Sequence, residues 1–255
     1  MNVLETILQA KRLELKDNPC SSNGVVERRD VRSLKTALSN PGVSVIAEIK
    51  MKSPSEGDIL LGADPVQIAI DYESAGATAI SVLTDTQFFG GSMKTLTQVR
   101  EAVSIPVLRK DFILTSSQIL ETNGSESDAL LLIAEAVETT EELKQLHTFV
   151  ESFGMESLVE FHRIENARKM SVIAPEIIGV NCRNLETMTT DLTHFEKVFP
   201  LLLEDALKIA ESGIENSVDL KYVADLGYDG ALVGTSLMKT GNPGHALEKL
   251  LGGVV

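Results

Sequence analysis

A lysine stands in the middle of a short apolar run at residues 105–113, a setting in which charge is seldom buried without a reason. Side chains alternate faces along a strand, so Leu108, Lys110 and Phe112 are expected to share one face. One explanation for the lysine is a structural ion pair. The other is catalysis, because a partly desolvated lysine has a lowered pKa and can exchange a proton near neutral pH.

Carboxylates and a second lysine follow other short apolar runs. Glu48 and Lys50 are two residues apart, so they face the same side while the chain stays extended. Glu160 stands at the end of a further run. A paired lysine and glutamate can act as general acid and base if their surroundings move both pKa values toward neutral. Glu48 is also expected to neutralise Lys50 or Lys110.

Another run ends in Asn181, Cys182 and Arg183. The arginine either grips a carboxylate through two hydrogen bonds or lies exposed on a loop, and its position alone favours neither interpretation. Cys182 is interpreted as a packing residue, because no histidine-based catalytic triad can be argued around it.

Small residues follow the last two runs of the chain. Ser212-Gly213 and Gly234-Thr235 combine hydroxyl side chains with glycine, which lets a backbone approach a ligand closely. Such residues are also ordinary in turns and helix caps. Their presence after both runs favours an anion site, because α/β barrels bind phosphate in the loops after the seventh and eighth strands.

The elements that must position these residues alternate along the chain. Segments with helical apolar spacing separate eight β-rich runs at residues 45–50, 79–83, 106–110, 129–133, 157–161, 177–181, 207–211 and 230–234. Eight βα units in about 210 residues predict an α/β fold, specifically a closed (β/α)8 TIM barrel. A doubly wound open sheet is the alternative, but the chain has neither a G-x-G-x-x-G nor a Walker A sequence.

The chain is predicted to form one domain, residues 1–255, with the barrel at 45–255. Residues 1–44 form an N-terminal helical extension, whose amphipathic segment 4–15 is expected to cover the barrel floor or wall. A role of this segment near the active site is the alternative, and the sequence does not decide it. A net charge of −14 argues against nucleic acid and anionic membranes as partners. Two separated cysteines, Cys20 and Cys182, and a start without a secretory-signal pattern predict a cytoplasmic location. The four histidines lack ligand spacing, so no metal is expected.

Seven motifs occur in an order that resembles one enzyme family over essentially the whole chain. The run Ile46-Ala-Glu-Ile-Lys-Met-Lys-Ser-Pro-Ser55 is similar to the signature E-x-K-x-x-S-P-S of indole-3-glycerol phosphate synthases. The other matching motifs are Ala79-Ile-Ser-Val-Leu-Thr-Asp85, Phe89-Gly-Gly-Ser92, Leu108-Arg-Lys-Asp-Phe-Ile113, Gly179-Val-Asn-Cys-Arg-Asn-Leu185, Ala210-Glu-Ser-Gly-Ile214 and Leu232-Val-Gly-Thr-Ser-Leu-Met238.

The resemblance implies a carboxy-lyase of tryptophan biosynthesis that converts 1-(2-carboxyphenylamino)-1-deoxyribulose 5-phosphate into indole-3-glycerol phosphate, carbon dioxide and water. It implies Lys110 as the general acid, Glu160 and Lys50 in the proton transfers, and Glu48 as the group that orients the lysines. The other implied site residues are Ser53, Phe89, Phe112, Leu131, Asn181 and Arg183 for the substrate, and Ser212, Gly213, Gly234 and Thr235 for its phosphate. No cofactor is implied. The expected partner is the small sugar-phosphate substrate, and the chain is expected to be a monomer or a weak homodimer.

Two positions depart from the family pattern. Glu126-Ser-Asp128 stands where the family often has Gly-Ala-Asp, which puts the local turn geometry in question. Met51 stands where a polar residue is commoner, and its side chain is expected to point away from Glu48 and Lys50.

Three alternative functions stay open on the residues. A phosphoribosylanthranilate-isomerase-like enzyme would favour a cysteine and an aspartate as its acid–base pair at the strand ends. A Schiff-base lyase would use Lys110 as its nucleophile. A non-catalytic binder of sugar phosphates would need cationic charge but no proton shuttle.

Overall fold

The computed structural model of the protein describes residues 2–17, 31–60 and 62–253, and Cys20 lies outside these ranges. The strands in the described residues are β1 (Ser44–Ile49), β2 (Lys52–Ser53), β3 (Gly57–Asp58), β4 (Ala79–Leu83), β5 (Val107–Lys110), β6 (Ala129–Ile133), β7 (Glu156–Phe161), β8 (Ile177–Asn181), β9 (Leu207–Glu211) and β10 (Gly230–Val233). Apart from the β2–β3 antiparallel ribbon, they are parallel and close into a barrel in which β1 pairs with both β4 and β10. The predicted (β/α)8 fold is confirmed, and each predicted strand agrees within one residue at either end.

Helices follow the barrel strands around the outside. The described α-helices are α1 (Val3–Asp17), α2 (Leu34–Leu38), α3 (Pro65–Ser74), α4 (Thr86–Phe89), α5 (Met93–Ala102), α6 (Ser116–Gly124), α7 (Thr140–Glu151), α8 (Ala167–Ile173), α9 (Thr193–Val198), α10 (Ser217–Leu226), α11 (Thr235–Met238) and α12 (Pro243–Leu251). Their ends follow local chemistry: Asp64 caps α3 ahead of Pro65, and Gly227, at a φ of 100°, ends α10. Among the helices of the described residues, none has the length and apolarity needed to cross a bilayer.

Alternation along the strands divides the apolar side chains between two layers. Outward residues such as Val45 and Val107 pack beneath the helices, whereas Ile46 and Leu108 fill the barrel interior. Full burial of one such aliphatic side chain contributes about 1.5–3 kcal/mol to folding. The expected face of Lys110 is therefore confirmed, because Leu108 faces inward and its neighbours do not. Met51 packs against the outer layer, away from the interior, as expected.

The N-terminal extension covers both ends of the barrel. Helix α2 lies across the floor, where Ser33 Oγ donates to Glu156 at 2.7 Å and the Lys35 backbone N donates to the same carboxylate at 2.8 Å. Helix α1 lies at the opposite end, where Leu4 and Ile7 line the cavity described below. Segment 4–15, which was expected at the floor or wall, is α1, so that expectation is wrong; no position was predicted for α2.

The turn before β6 contains Glu126, one of the positions that depart from the family pattern. Glu126 has a φ of 61°, a left-handed conformation that costs a non-glycine residue about 1–2 kcal/mol. Glycine adopts this conformation freely, so the glycine common in the family fits the same backbone. Two residues later, Asp128 accepts a hydrogen bond from the Val107 N at 2.9 Å and pairs with Arg100 at 2.8 Å, which holds the start of β6 in place.

Candidate active site

A cavity of about 690 Å³ opens at the carboxyl ends of the barrel strands, beneath α1. The cavity is lined by all fourteen residues that the family resemblance implied for catalysis, substrate binding or phosphate binding. They come from the strand ends and from the loops that follow them. They are Glu48, Lys50, Ser53, Phe89, Lys110, Phe112, Leu131, Glu160, Asn181, Arg183, Ser212, Gly213, Gly234 and Thr235.

The centre of the cavity holds an ammonium between two buried carboxylates. Lys110 Nζ at the end of β5 donates to Glu160 Oε2 at 3.1 Å and lies 3.4 Å from Glu211 Oε2. Both carboxylates are 2% exposed, whereas the lysine is 15% exposed and reaches the cavity. The ion pair that was one of the two explanations for Lys110 is therefore present, and it lies inside the cavity.

The pKa values of these three groups move in different directions. Burial lowers the pKa of Lys110, but attraction to Glu160, Glu211 and Glu48 outweighs it, so the pKa lies well above 10.5. The lowered pKa, one of the two alternatives considered for this lysine, is therefore not found, and Lys110 carries a proton at neutral pH. Burial raises the pKa of Glu160, but Lys110 and a hydrogen bond from Asn181 bring it below 4.5. Burial and repulsion from Glu160 raise the pKa of Glu211 well above 4.5.

A second ion pair lies beside the first, at the carboxyl end of β1. Lys50 Nζ lies 2.7 Å from Glu48 Oε1, so Glu48 neutralises Lys50 as expected. Gly234 leaves room for this carboxylate, because a Cβ atom at that position would lie 2.6 Å from Glu48 Oε1. Gly234, which follows β10, therefore makes room for the Glu48–Lys50 ion pair.

Asn181 at the end of β8 connects the carboxylates to the next loop. Its Nδ2 donates to Glu160 Oε1 at 2.8 Å, and its Oδ1 accepts from the Arg183 N at 3.0 Å. Arg183 is half-buried, and its Nη1 donates to the Met188 carbonyl at 3.2 Å. Arg183 lies on the loop after β8 and lines the cavity, and its grip on a carboxylate stays a prediction.

The loop after β9 has an unusual backbone. Ser212 and Gly213 both have positive φ, 70° and 73°. A Cβ atom at Gly213 would lie 2.7 Å from Thr190 and 2.8 Å from Leu192, so only glycine fits this approach. Cys182 is buried, and its Sγ donates to the Ser212 carbonyl at 3.2 Å. The cysteine packs as predicted and also holds the loop's conformation.

Apolar side chains close the cavity opposite these loops. The rings of Phe89 and Phe112 lie 6.1 Å apart between centroids, and Leu131 lies on the neighbouring strand. Leu4 and Ile7 of α1 complete the enclosure. The arrangement accepts a flat apolar group next to the lysine and carboxylate cluster.

Two features of the cavity were not predicted. Glu211 follows Ile209, an interior residue of β9, by two positions, so strand alternation could have identified it as an inward carboxylate. No sequence signal placed α1 over the cavity, because an amphipathic helix can cover any apolar surface. In the described residues, no group of three or more histidine, cysteine, aspartate or glutamate side chains could hold a metal ion.

Comparison with known proteins agrees with the motifs. The family model described as indole-3-glycerol phosphate synthase matches residues 4–250. The chain is 43% identical over 254 residues to the indole-3-glycerol phosphate synthase of Halalkalibacterium halodurans, covering 98% of this chain and 97% of the relative. It is 42% identical over 253 residues to that of Bacillus velezensis, covering 98% and 100%.

Among solved structures, an N-acetylmannosamine-6-phosphate 2-epimerase from Clostridium perfringens has a similar fold. Its TM-score is 0.63 at 12% identity, covering 85% of this chain and 95% of that one. At this identity the likeness concerns the barrel alone. The match of the family model to nearly the whole chain, together with relatives above 40% identity, shows that the chain belongs to the indole-3-glycerol phosphate synthase family.

Proposed function

We propose that the protein catalyses ring closure of 1-(2-carboxyphenylamino)-1-deoxyribulose 5-phosphate to indole-3-glycerol phosphate, with release of carbon dioxide and water. One observation carries the proposal beyond family membership. A protonated Lys110 lies 3.1 Å from an ionised Glu160 in a cavity with apolar walls on one side and the Ser212-Gly213 loop on the other. These features complement a substrate that carries a ketone, an aryl ring and a phosphate.

The substrate binds across the barrel mouth. Its phosphate lies against Ser212, Gly213, Gly234 and Thr235, in the loops after β9 and β10 where α/β barrels commonly bind phosphate. Its aryl ring contacts Phe89, Phe112 and Leu131, and Ser53, Asn181 and Arg183 contact the polar groups between the two ends. Arg183 suits the aryl carboxylate, because a guanidinium can donate two parallel hydrogen bonds to it.

Ring closure needs an acid at the ketone. The aromatic carbon that bears the carboxylate attacks the ketone carbon, and Lys110 gives its proton to the oxygen that becomes a hydroxyl. Because the neighbouring carboxylates keep this lysine protonated, it enters the reaction as an acid rather than as a base. The carboxylate then leaves as carbon dioxide and restores the electron pair to the ring.

Loss of water completes the indole. The hydroxyl leaves with an added proton, and the methylene carbon next to the ring nitrogen gives up a proton to form the new carbon–carbon double bond, so one acid and one base are required. Glu160 and Lys50 serve these transfers, with Glu48 holding Lys50 at 2.7 Å. Glu211 Oε2 lies 3.4 Å from Lys110 Nζ, and its raised pKa suits it as an additional proton carrier beside that lysine.

The same electrostatics argue against the Schiff-base alternative. A lysine attacks a carbonyl only as the neutral amine, and here Glu160 and Glu211 stabilise the charged form. A non-catalytic binder has no use for two buried carboxylates that compete with an anionic ligand. Borohydride treatment with substrate present is expected to leave no covalent adduct on Lys110.

The test is incubation with the proposed substrate while indole fluorescence is recorded. The wild-type protein is expected to produce the signal. Lys110→Ala is expected to abolish turnover, a loss of at least about 10²–10⁴-fold in kcat for a general acid, with an unchanged near-ultraviolet circular dichroism spectrum. Lys144→Ala, at an exposed position of α7, is the matched control and should behave as wild type. Full activity of Lys110→Ala would refute the mechanism.

A further inference from the structure

Helix α1 carries a buried cation whose partners all belong to the rim of the cavity or to α1 itself. The side chain of Lys11 is 3% exposed, and its Nζ lies 2.9 Å from Asp85 Oδ2 and 3.2 Å from Asp111 Oδ1. Glu14 of the same helix lies 2.9 Å away and is 47% exposed. A lysine is rarely buried to this degree unless it is paired. The ammonium therefore links α1 to two separate segments of the barrel.

Each of the two aspartates fixes an aromatic wall of the cavity. Asp85 caps α4 by accepting a hydrogen bond from the Phe88 N at 2.7 Å, and α4 ends at Phe89. Asp111 accepts from the N of the next residue, Phe112, at 2.8 Å. The ammonium thus touches the two carboxylates that set the backbone positions of both aromatic residues.

The helix held by Lys11 supplies the roof of the same enclosure. Leu4 and Ile7 lie seven and four residues before Lys11, so the three side chains share one face of α1. Both apolar side chains line the cavity. The buried ammonium of Lys11 therefore connects the helix that forms the roof to the two aspartates beside the aromatic walls.

The two aspartates differ in how much they depend on Lys11 as a partner. Asp111 has a second set of partners, because its Oδ2 accepts from Thr84 at 2.6 Å and from Arg109 at 3.1 Å. For Asp85 Oδ2, which is fully buried, Lys11 is the partner that the described residues provide. Burial lowers the pKa of Lys11, but the carboxylates of Asp111, Asp85 and Glu14 together raise it by more. The net pKa lies above 10.5, so the lysine is charged at physiological pH.

We infer that Lys11 is a positioning residue for the aryl part of the substrate: its ammonium holds α1 against Asp85 and Asp111, so that roof and walls form one apolar subsite. The inference rests on the proposed function. Lys11 touches no reacting atom. The loops after β9 and β10, which bind the phosphate in that proposal, share none of these contacts.

The test compares Lys11→Met, which keeps the length of the side chain without its charge, with Lys11→Arg and with Lys16→Met, an exposed lysine of the same helix. Three quantities are measured in the full-length protein: kcat and KM, the inhibition constant of inorganic phosphate, and backbone hydrogen exchange over residues 3–17. Some interactions stabilise the bound substrate and the transition state equally. A mutation that removes such an interaction raises KM and leaves kcat unchanged.

Lys11→Met is expected to raise KM about tenfold or more, to change kcat by less than about threefold, and to accelerate exchange in α1. Phosphate inhibition should stay at the wild-type value, Lys11→Arg should restore part of the KM, and Lys16→Met should match wild type. Unchanged KM and exchange in Lys11→Met would overturn the inference, as would an equal loss of phosphate binding, which indicates general loosening. If wild type converts no substrate, the proposed function fails. Hydrogen exchange and phosphate binding then still decide whether Lys11 anchors α1.

Discussion

Gly179 of β8 makes room for the carboxylate of Glu211, and a single added methyl group tests whether that carboxylate must stay where it is. A Cβ atom at Gly179 would lie 2.1 Å from Glu211 Oε1 and 3.2 Å from its Cδ. Real Cβ contacts are essentially never shorter than 3.0 Å, so in Gly179→Ala the carboxylate must move by about 1 Å. The movement disturbs its contact with Lys110, which is 3.4 Å in the wild type.

The size of the effect follows from this displacement. A misplacement of about 1 Å in a catalytic arrangement can cost about 10²-fold in rate, equivalent to about 2.7 kcal/mol of transition-state stabilisation. Overpacking of a closely packed interior costs about 1–3 kcal/mol of folding free energy. We therefore expect Gly179→Ala to fold with a reduced midpoint temperature and to lose about 10²-fold in kcat/KM.

Gly230→Ala is the matched control, because it also adds a methyl group to the barrel interior. A Cβ atom at Gly230 would lie 2.8 Å from the Ser44 carbonyl, at the barrel floor and far from the lysine cluster. Both variants should lose stability in thermal unfolding, but only Gly179→Ala should lose activity per folded molecule in the fluorescence assay. If the kcat/KM values of the two variants agree within about twofold, the position of Glu211 is not needed for catalysis and the reasoning is refuted.

Three further predictions concern the phosphate loop, the turn before β6 and the half-buried His194. Ser212→Asp should raise KM and weaken phosphate inhibition, because its carboxylate repels the phosphate; an unchanged KM would contradict the phosphate assignment. Glu126→Gly should raise the free energy of unfolding by about 1 kcal/mol, because glycine adopts a φ of 61° without strain, and calorimetry should show a midpoint about 2–4 °C higher with unchanged kcat. Burial and the neighbouring His162 lower the pKa of His194, so the unfolded state binds its proton first and stability should fall as the pH drops below about 6.5. Urea titrations of His194→Phe should show a shallower dependence on pH, and an unchanged slope would count against the argument.

Strand positions could be predicted because they depend on short stretches of sequence. Apolar runs such as 129–133 are long enough for a strand and too short for a helix, so length alone distinguishes the two. Alternation then gave the inward face of Lys110 and the outward face of Met51. The same rule applied to β9 identifies Glu211, which shows that the local signal was sufficient there as well.

The protonation state of Lys110 could not be predicted in the same way. Desolvation by itself lowers the pKa of a lysine, and the sequence around residue 110 contains no carboxylate on the inward face. Glu160 and Glu211 come from two other strands, and the distances of 3.1 and 3.4 Å arise only when the barrel closes. Closure therefore changes the direction of the pKa shift and makes the lysine an acid.

The position of α1 also depended on closure, and the sequence indicated only that the helix has a buried partner. Lys11 interrupts the apolar positions 4, 7, 8 and 15 of an amphipathic helix, and a cation on an apolar face indicates a buried partner. The sequence does not say which carboxylates serve as partners, because Asp85 and Asp111 are two among 37 acidic residues.

By itself, the sequence determined the barrel, the strand that carries each charged side chain and the family to which the motifs belong. Those properties depend on local periodicity and residue identity, which need no knowledge of the rest of the chain. Only the tertiary structure decided which carboxylates surround Lys110, where α1 lies and how Gly179 makes room for Glu211. Those properties depend on distances between segments remote in sequence, and electrostatic and packing energies change steeply with such distances.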